Sequence, residues 1–473
     1  MNNERISRRE FATVSVGAFA VTALASVPRR SPAQEADGEA LSAEDTLLAA
    51  GVAKTYAFLH TMMDAYAQAQ TLRLIQSYSD QMQLLSTSFV YDNAVVINAL
   101  LERGDSENLR RALLLGETLL YAQQHDSIGD GRVRQAYFVD QPDTNGAFLR
   151  PALVPFFFIG SATGDMSWVA MALAQLFARS GEPRFLNGAV RLGQWLVKNT
   201  FSTTGAGGFT AGVDANNNPL TYKSTEHNID AVALFTMLAQ LTGDSSWSVQ
   251  AQHARSFVQA MFNAPSDFFW TGTLLDGATI NTNPIPEDVN TWSFLALQDP
   301  QFAGSMDWAK TNLAVTDTPQ SFNNSVAGNK VRISGVTYTN FAQHPPIVAN
   351  DFAPSDPFST PPNPNSVWLE GTAHVAAALR ARNLPAELDL PGFSGDRNTA
   401  AFLLLNILGA QATQGAGQTC AGQTIPPATG VVAASSELNT GFGFSYKPFL
   451  HIGATGWFAI AGQARNPFQI RGR

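Results

Sequence analysis

The strongest constraint on how this chain can fold is a rhythm of paired helices. Segments that are apolar on nearly every face begin near Tyr91, Trp168, Glu226, Asp288, Trp368 and Phe449, and each follows a more amphipathic segment, the first being Asp45 to Gln70. A segment that is oily all round must be buried, whereas an amphipathic one lays its dry stripe on the core and meets water with the rest. Arg184 to Asn199 is of the covering type, with Leu186, Val190, Leu192, Leu196 and Val197 on its dry side. Gly104-Asp105, Gly181-Glu182 and Gly243-Asp244 read as turns between helices. Six hairpins, each joining an inner oily helix to an outer one, bury all their apolar faces only with a neighbour on both sides, and closing the row supplies it. The expected fold is therefore all-α, an (α/α)6 toroid of six helical hairpins, with an open-ended helical solenoid as its rival.

One such barrel, residues 45–473, accounts for most of a 473-residue chain that is 45% hydrophobic. In front of it, Ser7-Arg8-Arg9-Glu10-Phe11 and the small apolar residues from Val14 to Ala25 resemble a twin-arginine export signal over residues 1–30. A basic start followed by a short amphipathic helix is the plainer alternative. The apolar stretch is too short to span a bilayer. Residues 31–44 read as a flexible lead-in. The expected partners are then the twin-arginine export machinery and a carbohydrate, and the expected location of a monomeric protein is the periplasm or the exterior. Only 14% of residues are charged and the net charge is -9, so nucleic-acid binding has no electrostatic footprint. Cys420 is the single cysteine, leaving no internal disulfide and no thiolate metal site. Asp214, Asn216 and Asn218 have calcium-loop spacing, but Thr225 stands where the closing carboxylate belongs, so the stretch reads as a turn and no cofactor is expected.

The long connections 129–138, 202–222, 270–287 and 323–366 each join an outer helix to the next inner one, so all emerge on one face. Irregular stretches of this length are usually functional. Runs such as Lys330 to Ile333 and Gly335 to Thr339 suggest small β-hairpins walling a cleft there. The starts of the inner helices bring to that face Tyr91, Asp92 and Asn93; Glu226, His227, Asn228 and Asp230; Glu287, Asp288, Asn290 and Trp292; Trp368, Glu370 and His374; and Tyr446, Lys447 and His451. Glu226 and Asp230 stand four apart, on one face of a helix for which Thr225 is the expected N-cap. Carboxylates on opposite sides of a ring, with flat aromatic rings between them, suit sugar hydrolysis: one acid must stay protonated for the leaving oxygen while a second carboxylate handles water or the anomeric carbon. An acidic first turn that only complements the helix dipole is the bland alternative for each of them.

The motifs Tyr91-Asp92-Asn93-Ala94, Thr225 to Asp230 (T-E-H-N-I-D), Trp368 to Thr372 (W-L-E-G-T) and Trp457 to Phe468 resemble the six-hairpin glycosidase superfamily of secreted bacterial enzymes. That resemblance implies an (α/α)6 barrel with a polysaccharide cleft across the helix N-termini, and hydrolysis commonly with inversion. The expected catalytic groups are Glu226 as general acid, its proton held by crowding against Asp230, with Asp92 or Glu370 as base. Tyr91, His227, Asn228, Asp130, Arg132, Asp288, Trp292 and Trp368 are the expected substrate-binding residues. Two other readings keep the toroid. A polysaccharide lyase or uronate epimerase would use Tyr91, Tyr137 or His227 as base, with Asn228 or Arg132 on the uronate carboxylate and Arg134, Lys223 and Lys330 nearby. A non-catalytic glycan-binding envelope protein is the third.

Overall fold

The rhythm of paired helices appears directly in a computed structural model, which describes residues 43–66, 72–140, 150–151, 159–319, 331–343, 362–382 and 395–470. Expectations for the export signal and for the lead-in up to residue 42 lie outside these residues. The inner helices are α2 (Val90–Arg103), α4 (Thr163–Ser180), α6 (Thr225–Thr242), α8 (Asp288–Leu297), α10 (Leu369–Arg382) and α12 (Ile452–Gly462). The outer ones are α1 (Ala43–Asp64), α3 (Ser106–Gln124), α5 (Pro183–Thr200), α7 (Ser246–Ala260), α9 (Ala303–Asn312) and α11 (Asp396–Thr413). Apolar character all round has its physical counterpart: every residue of α12 from Ile452 to Ala461 is buried. In α5 the buried stripe runs through Phe185, Ala189, Leu192, Trp195 and Leu196, with Leu186, Val190 and Val197 at its margins.

The inner helices pack in the order α2, α4, α6, α8, α10, α12, and α12 returns to α2, so the row closes and the fold is the (α/α)6 toroid. Short turns join α2 to α3, α4 to α5 and α6 to α7. Gly104, Gly181 and Gly243 take φ of 70°, 74° and 72°, and each N–H returns to the carbonyl four residues back, a left-handed stop that glycine adopts at least cost. The sixth pair is made differently, from the first and last helices. On α1, Tyr56 donates its hydroxyl proton to the Ala99 carbonyl of α2 (3.0 Å) and accepts Gln463 Nε2 (2.8 Å) just past α12.

The barrel is floored by aromatic rings. Trp168, Trp292 and Trp457 meet around the axis, and Phe468, 1% exposed, packs against them from below, 5.1 Å from Trp168 and 5.5 Å from Trp292. Its segment is tied to the end of α8, where Asn466 Nδ2 donates to the Leu295 carbonyl (2.8 Å).

The described parts of the long connections lie at the opposite end and carry short strand pairs, as expected. One detail differs. Lys330 lies outside the described residues, and the 333–339 run does not fold back on its own neighbours: Ile333–Val336 pairs antiparallel with Ala314–Asp317. The other difference concerns α4, which starts at Thr163, five residues ahead of the expected Trp168. Its first turn, Thr163-Gly164-Asp165-Met166, holds a glycine and little apolar character, so it reads as loop. It is helical because the Thr163 backbone N–H and hydroxyl are both taken up by the adjacent chain, at Ala211 O (2.9 Å) and Thr210 O (2.6 Å).

Replacing Phe468 by Ala would leave a void under three indoles. The expected loss is about 3–5 kcal/mol, read as a lower guanidinium midpoint with an unchanged slope.

Candidate active site

One polar side chain recurs at the same depth on every inner helix and sets the register of the site. Asn93, Ser167, Asn228, Asn290, Thr372 and Thr455 each donate to the carbonyl four residues back, at 2.7–2.8 Å. Five of the six also accept a backbone N–H from the loop preceding their helix: Ile75, Phe209, Phe269, Val336 and Val431 at 2.8–3.1 Å. Buried strand ends need such partners, and the clamp supplies them from within each helix.

Two residues upstream of the clamp is about 200° of helix rotation, so that position faces the barrel axis. The residues standing there are Tyr91, Asp165, Glu226, Asp288, Glu370 and Gly453. All except the glycine line a cavity of about 690 Å³ at the helix N-termini. Four carboxyl groups thus stand in one layer. At the sixth position the missing side chain leaves room for an ion pair: a Cβ on Gly453 would lie 2.6 Å from Asp92 Oδ1 and 2.7 Å from the His451 ring.

The four carboxyl groups do not share one environment. Burial pushes all of them up, since charge is poorly solvated in the cavity, but Glu370 ends below its usual range because His374, His451 and Tyr91 outweigh burial. The Tyr91 hydroxyl donates to Glu370 Oε1 at 2.5 Å and accepts Trp457 Nε1 at 2.9 Å. His451 Nδ1 lies 3.5 Å from Glu370 Oε2, and its Nε2 is 3.1 Å from Asp92 Oδ2. His374, fully buried, has Nδ1 3.0 Å from Glu287 Oε2 and Nε2 3.8 Å from Glu370 Oε1. Acid and imidazole alternate along Glu287, His374, Glu370, His451 and Asp92. Burial lowers His374, and Glu287 and Glu370 more than reverse this, raising it to about 9. Tyr78 lies flat on the His451 ring at 4.1 Å.

Across the cavity, burial and like charge outweigh the one imidazole that acts on Glu226, that of His374. Burial, and then the Asp165 charge, raise Glu226 to about 7; burial, and then Asp92, raise Asp165 to about 7. Asp288 is pushed well above the carboxylate range by burial and then by Glu226 and Glu287. One layer therefore holds an ionised carboxylate and protonated carboxylic acids side by side.

The expected residues divide accordingly. Tyr91, Asp92, Glu226, His227, Asp288, Trp292, Trp368 and Glu370 all line the cavity. Four others do not. Asp230 is fully buried one turn below Glu226, beside the Trp168 indole, and burial holds it well above the carboxylate range. The neighbouring carboxyl group whose charge bears most on Glu226 is Asp165, in place of the expected Asp230. Asn228 is the clamp of α6, its amide spent on the backbone of Phe209 and Ser224. Asp130 and Arg132 bind each other (2.7 Å), and Asp130 accepts Trp195 Nε1 of α5 (2.8 Å), which fastens their loop to an outer helix. Tyr137 and Arg134 are similarly occupied, by each other and by Asp126. Asp214 folds its carboxylate onto the N–H groups of Asn216 and Asn218, a tight turn at the cavity's edge.

Asp165 was missed because its helix start was placed too late; the clamp register, Asp165 two residues ahead of Ser167, is the signal that locates it. His227 reaches the cavity across Gly164, where a Cβ would come within 2.5 Å of its ring. Burial lowers it to about 4, so it is neutral.

No family model matches this chain, and no curated protein sequence matches it. Solved structures do. A glycosidase variant in complex with glucose is 10% identical, covering 90% of this chain and 99% of its own, with a TM-score of 0.56. The GH76 α-mannanase of Bacteroides thetaiotaomicron is 11% identical over 88% of this chain and 95% of its own, with a TM-score of 0.54. The fold is that of toroidal glycosidases. At such identities the likeness concerns architecture, and the chemistry rests on the residues of this chain.

Folded-state values near 7 for Glu226 and Asp165 lie above the 4.5 and 3.8 of unfolded Glu and Asp. Their contribution to stability is full below those unfolded values and is lost as pH rises through 7. Glu226→Gln is thus expected to gain on the unmodified protein from pH 4.5 to 8, measured as the difference in urea midpoints.

Proposed function

We propose that this protein is a glycoside hydrolase acting on a neutral poly- or oligosaccharide, with Glu226 as general acid and Glu370 as base. The observation that carries this reading is the split within one carboxyl layer: Glu370 ionised beside two imidazoles, Glu226 protonated where burial and the Asp165 charge outweigh the pull of His374. Hydrolysis of a glycosidic bond needs that pair of states at one pH. Glu226 gives its proton to the bridging oxygen as the bond from the anomeric carbon breaks. In the inverting form, Glu370 takes a proton from the water that attacks the same carbon from the other face, and exchange with solvent resets both groups. Asp165 keeps Glu226 protonated, while Tyr91, His374 and His451 hold Glu370 charged and oriented. Trp168, Trp292 and Trp368 offer rings to the apolar faces of the sugar.

The lyase and epimerase reading loses support. Its candidate arginines are bound to Asp130 and Asp126 away from the cavity, Lys223 donates to the Thr204 carbonyl, and Tyr91 is already donating to a carboxylate. A glycosidase bound to glucose and an α-mannanase among the similar structures are compatible with a neutral hexose. Export along the twin-arginine route, suggested by Arg8-Arg9, and action as a monomer outside the cytoplasm belong to the same proposal.

The test is turnover of neutral and uronic-acid glycans, followed both by new reducing ends and by the ultraviolet absorbance of unsaturated products. Reducing ends alone are expected. Glu226→Gln and Glu370→Gln should each cost about 10²–10⁴-fold in kcat, and only the first should recover on aryl glycosides whose leaving group needs no proton. Full activity in both variants would sink the assignment.

A bell-shaped pH profile should fall on its alkaline side near 7, where Glu226 loses its proton. Asp165→Asn removes the neighbouring charge, so that limb should move to lower pH in kcat against pH, while the acid limb stays in place.

A further inference from the structure

The cavity wall beside Glu370 continues outward as a strip of aromatic rings. Trp368 and Tyr446 lie nearly parallel, centroids 6.0 Å apart and planes 11° apart. Tyr338 meets them at 4.5 and 5.7 Å, and Phe444 packs on Tyr446 at 5.6 Å. These four line the cavity. Beyond them stands Phe442, 42% exposed, its ring 6.1 Å from Tyr338. Phe341, 43% exposed, abuts the same turn: its Cβ is 3.1 Å from where a Cβ on Gly441 would sit.

Two large rings held in water at the rim of a cavity lose hydrophobic stabilisation for as long as nothing covers them. The turn is built to keep them there. Phe442 sits at the tip of the hairpin formed by Leu438–Asn439 and Ser445–Tyr446, between Gly441 and Gly443 at φ of 82° and 86°. The tip is fixed from both sides, by Thr440 N–H donating to Phe444 O (3.2 Å) and by the Thr339 hydroxyl donating to Thr440 O (2.8 Å). The backbone that presents Phe442 is therefore in place before any ligand arrives, which lowers the entropy cost of binding there.

We propose that this strip binds the sugar units of a neutral glycan that extend out of the cavity from the bond cleaved beside Glu370. A pyranose ring presents a flat face of C–H groups, which matches the electron-rich face of an aromatic side chain. The inference rests on the glycosidase reading, because it takes the cleaved bond to lie at Glu370. It assigns to Phe442 and Phe341 a role in substrate length that the reaction itself does not require.

The experiment measures hydrolysis and calorimetric binding of gluco- and manno-oligosaccharides of increasing length, using the unmodified protein, Phe442→Ala, Phe341→Ala and, as a control, Phe201→Ala at an exposed ring outside the cavity. For longer substrates, the first two variants should raise KM and Kd about threefold to tenfold, leaving kcat and the shortest cleaved substrate unchanged. Phe201→Ala should change nothing. Cleavage whose KM does not depend on length, or an equal effect of Phe442→Ala at every length, overturns the strip and leaves the hydrolase intact. Length-dependent binding without any cleavage overturns the hydrolase and leaves the strip. Neither binding nor cleavage of any member of either series overturns both.

Discussion

The structure depends on hydrogen bonds that the inner helices make to the loops preceding them. Five of the six inner helices spend one polar side chain to hold an incoming segment of backbone, and on all six the bond back to the helix's own first turn fixes that side chain's depth. The depth is shared, so the residue two positions earlier reaches the axis at a shared level too. A layer of chemistry arises from a packing requirement. Removing a clamp such as Asn290 would strand a buried N–H of Phe269 and also let Asp288 drift from its level.

Within that layer, distribution of counter-charge decides which carboxyl group does what. Like charges in a poorly solvated space cannot all ionise, and the two histidines on one side select Glu370 as the group that does. Gly453 takes part by having no side chain, since the His451 and Asp92 pair occupies the space that a Cβ would fill. Glu287, behind His374, extends the same logic away from the cavity.

Much of this was legible in the sequence. Six oily helices with amphipathic companions carry the toroid, because burial on all sides leaves no other use for them, and the helix starts named most of the cavity. What escaped was whatever depends on neighbours distant in sequence. Asp165 sits in a first turn that is helical only because Thr163 is held by Thr210 and Ala211. Asp130 and Arg132 look like binding residues until Trp195 is seen to claim them. Asn228 resembles a sugar ligand, and only the repetition of its bond on five other helices reveals its use. Asp230 was read as a charged partner for Glu226, whereas complete burial keeps it neutral.

Closure of the ring by α1 against α12 has a bearing on how the chain comes to be folded. Helices two to eleven can pair with neighbours as they are made, but α1 has no outer position to occupy until α12 exists. Until then the growing barrel is an arc with two oily edges, liable to join the edges of other arcs as readily as its own. The last step is a long-range one, slow relative to hairpin formation and possible only once α12 has been made. Any chaperone guarding this protein would therefore be needed until α12 is made and meets Tyr56.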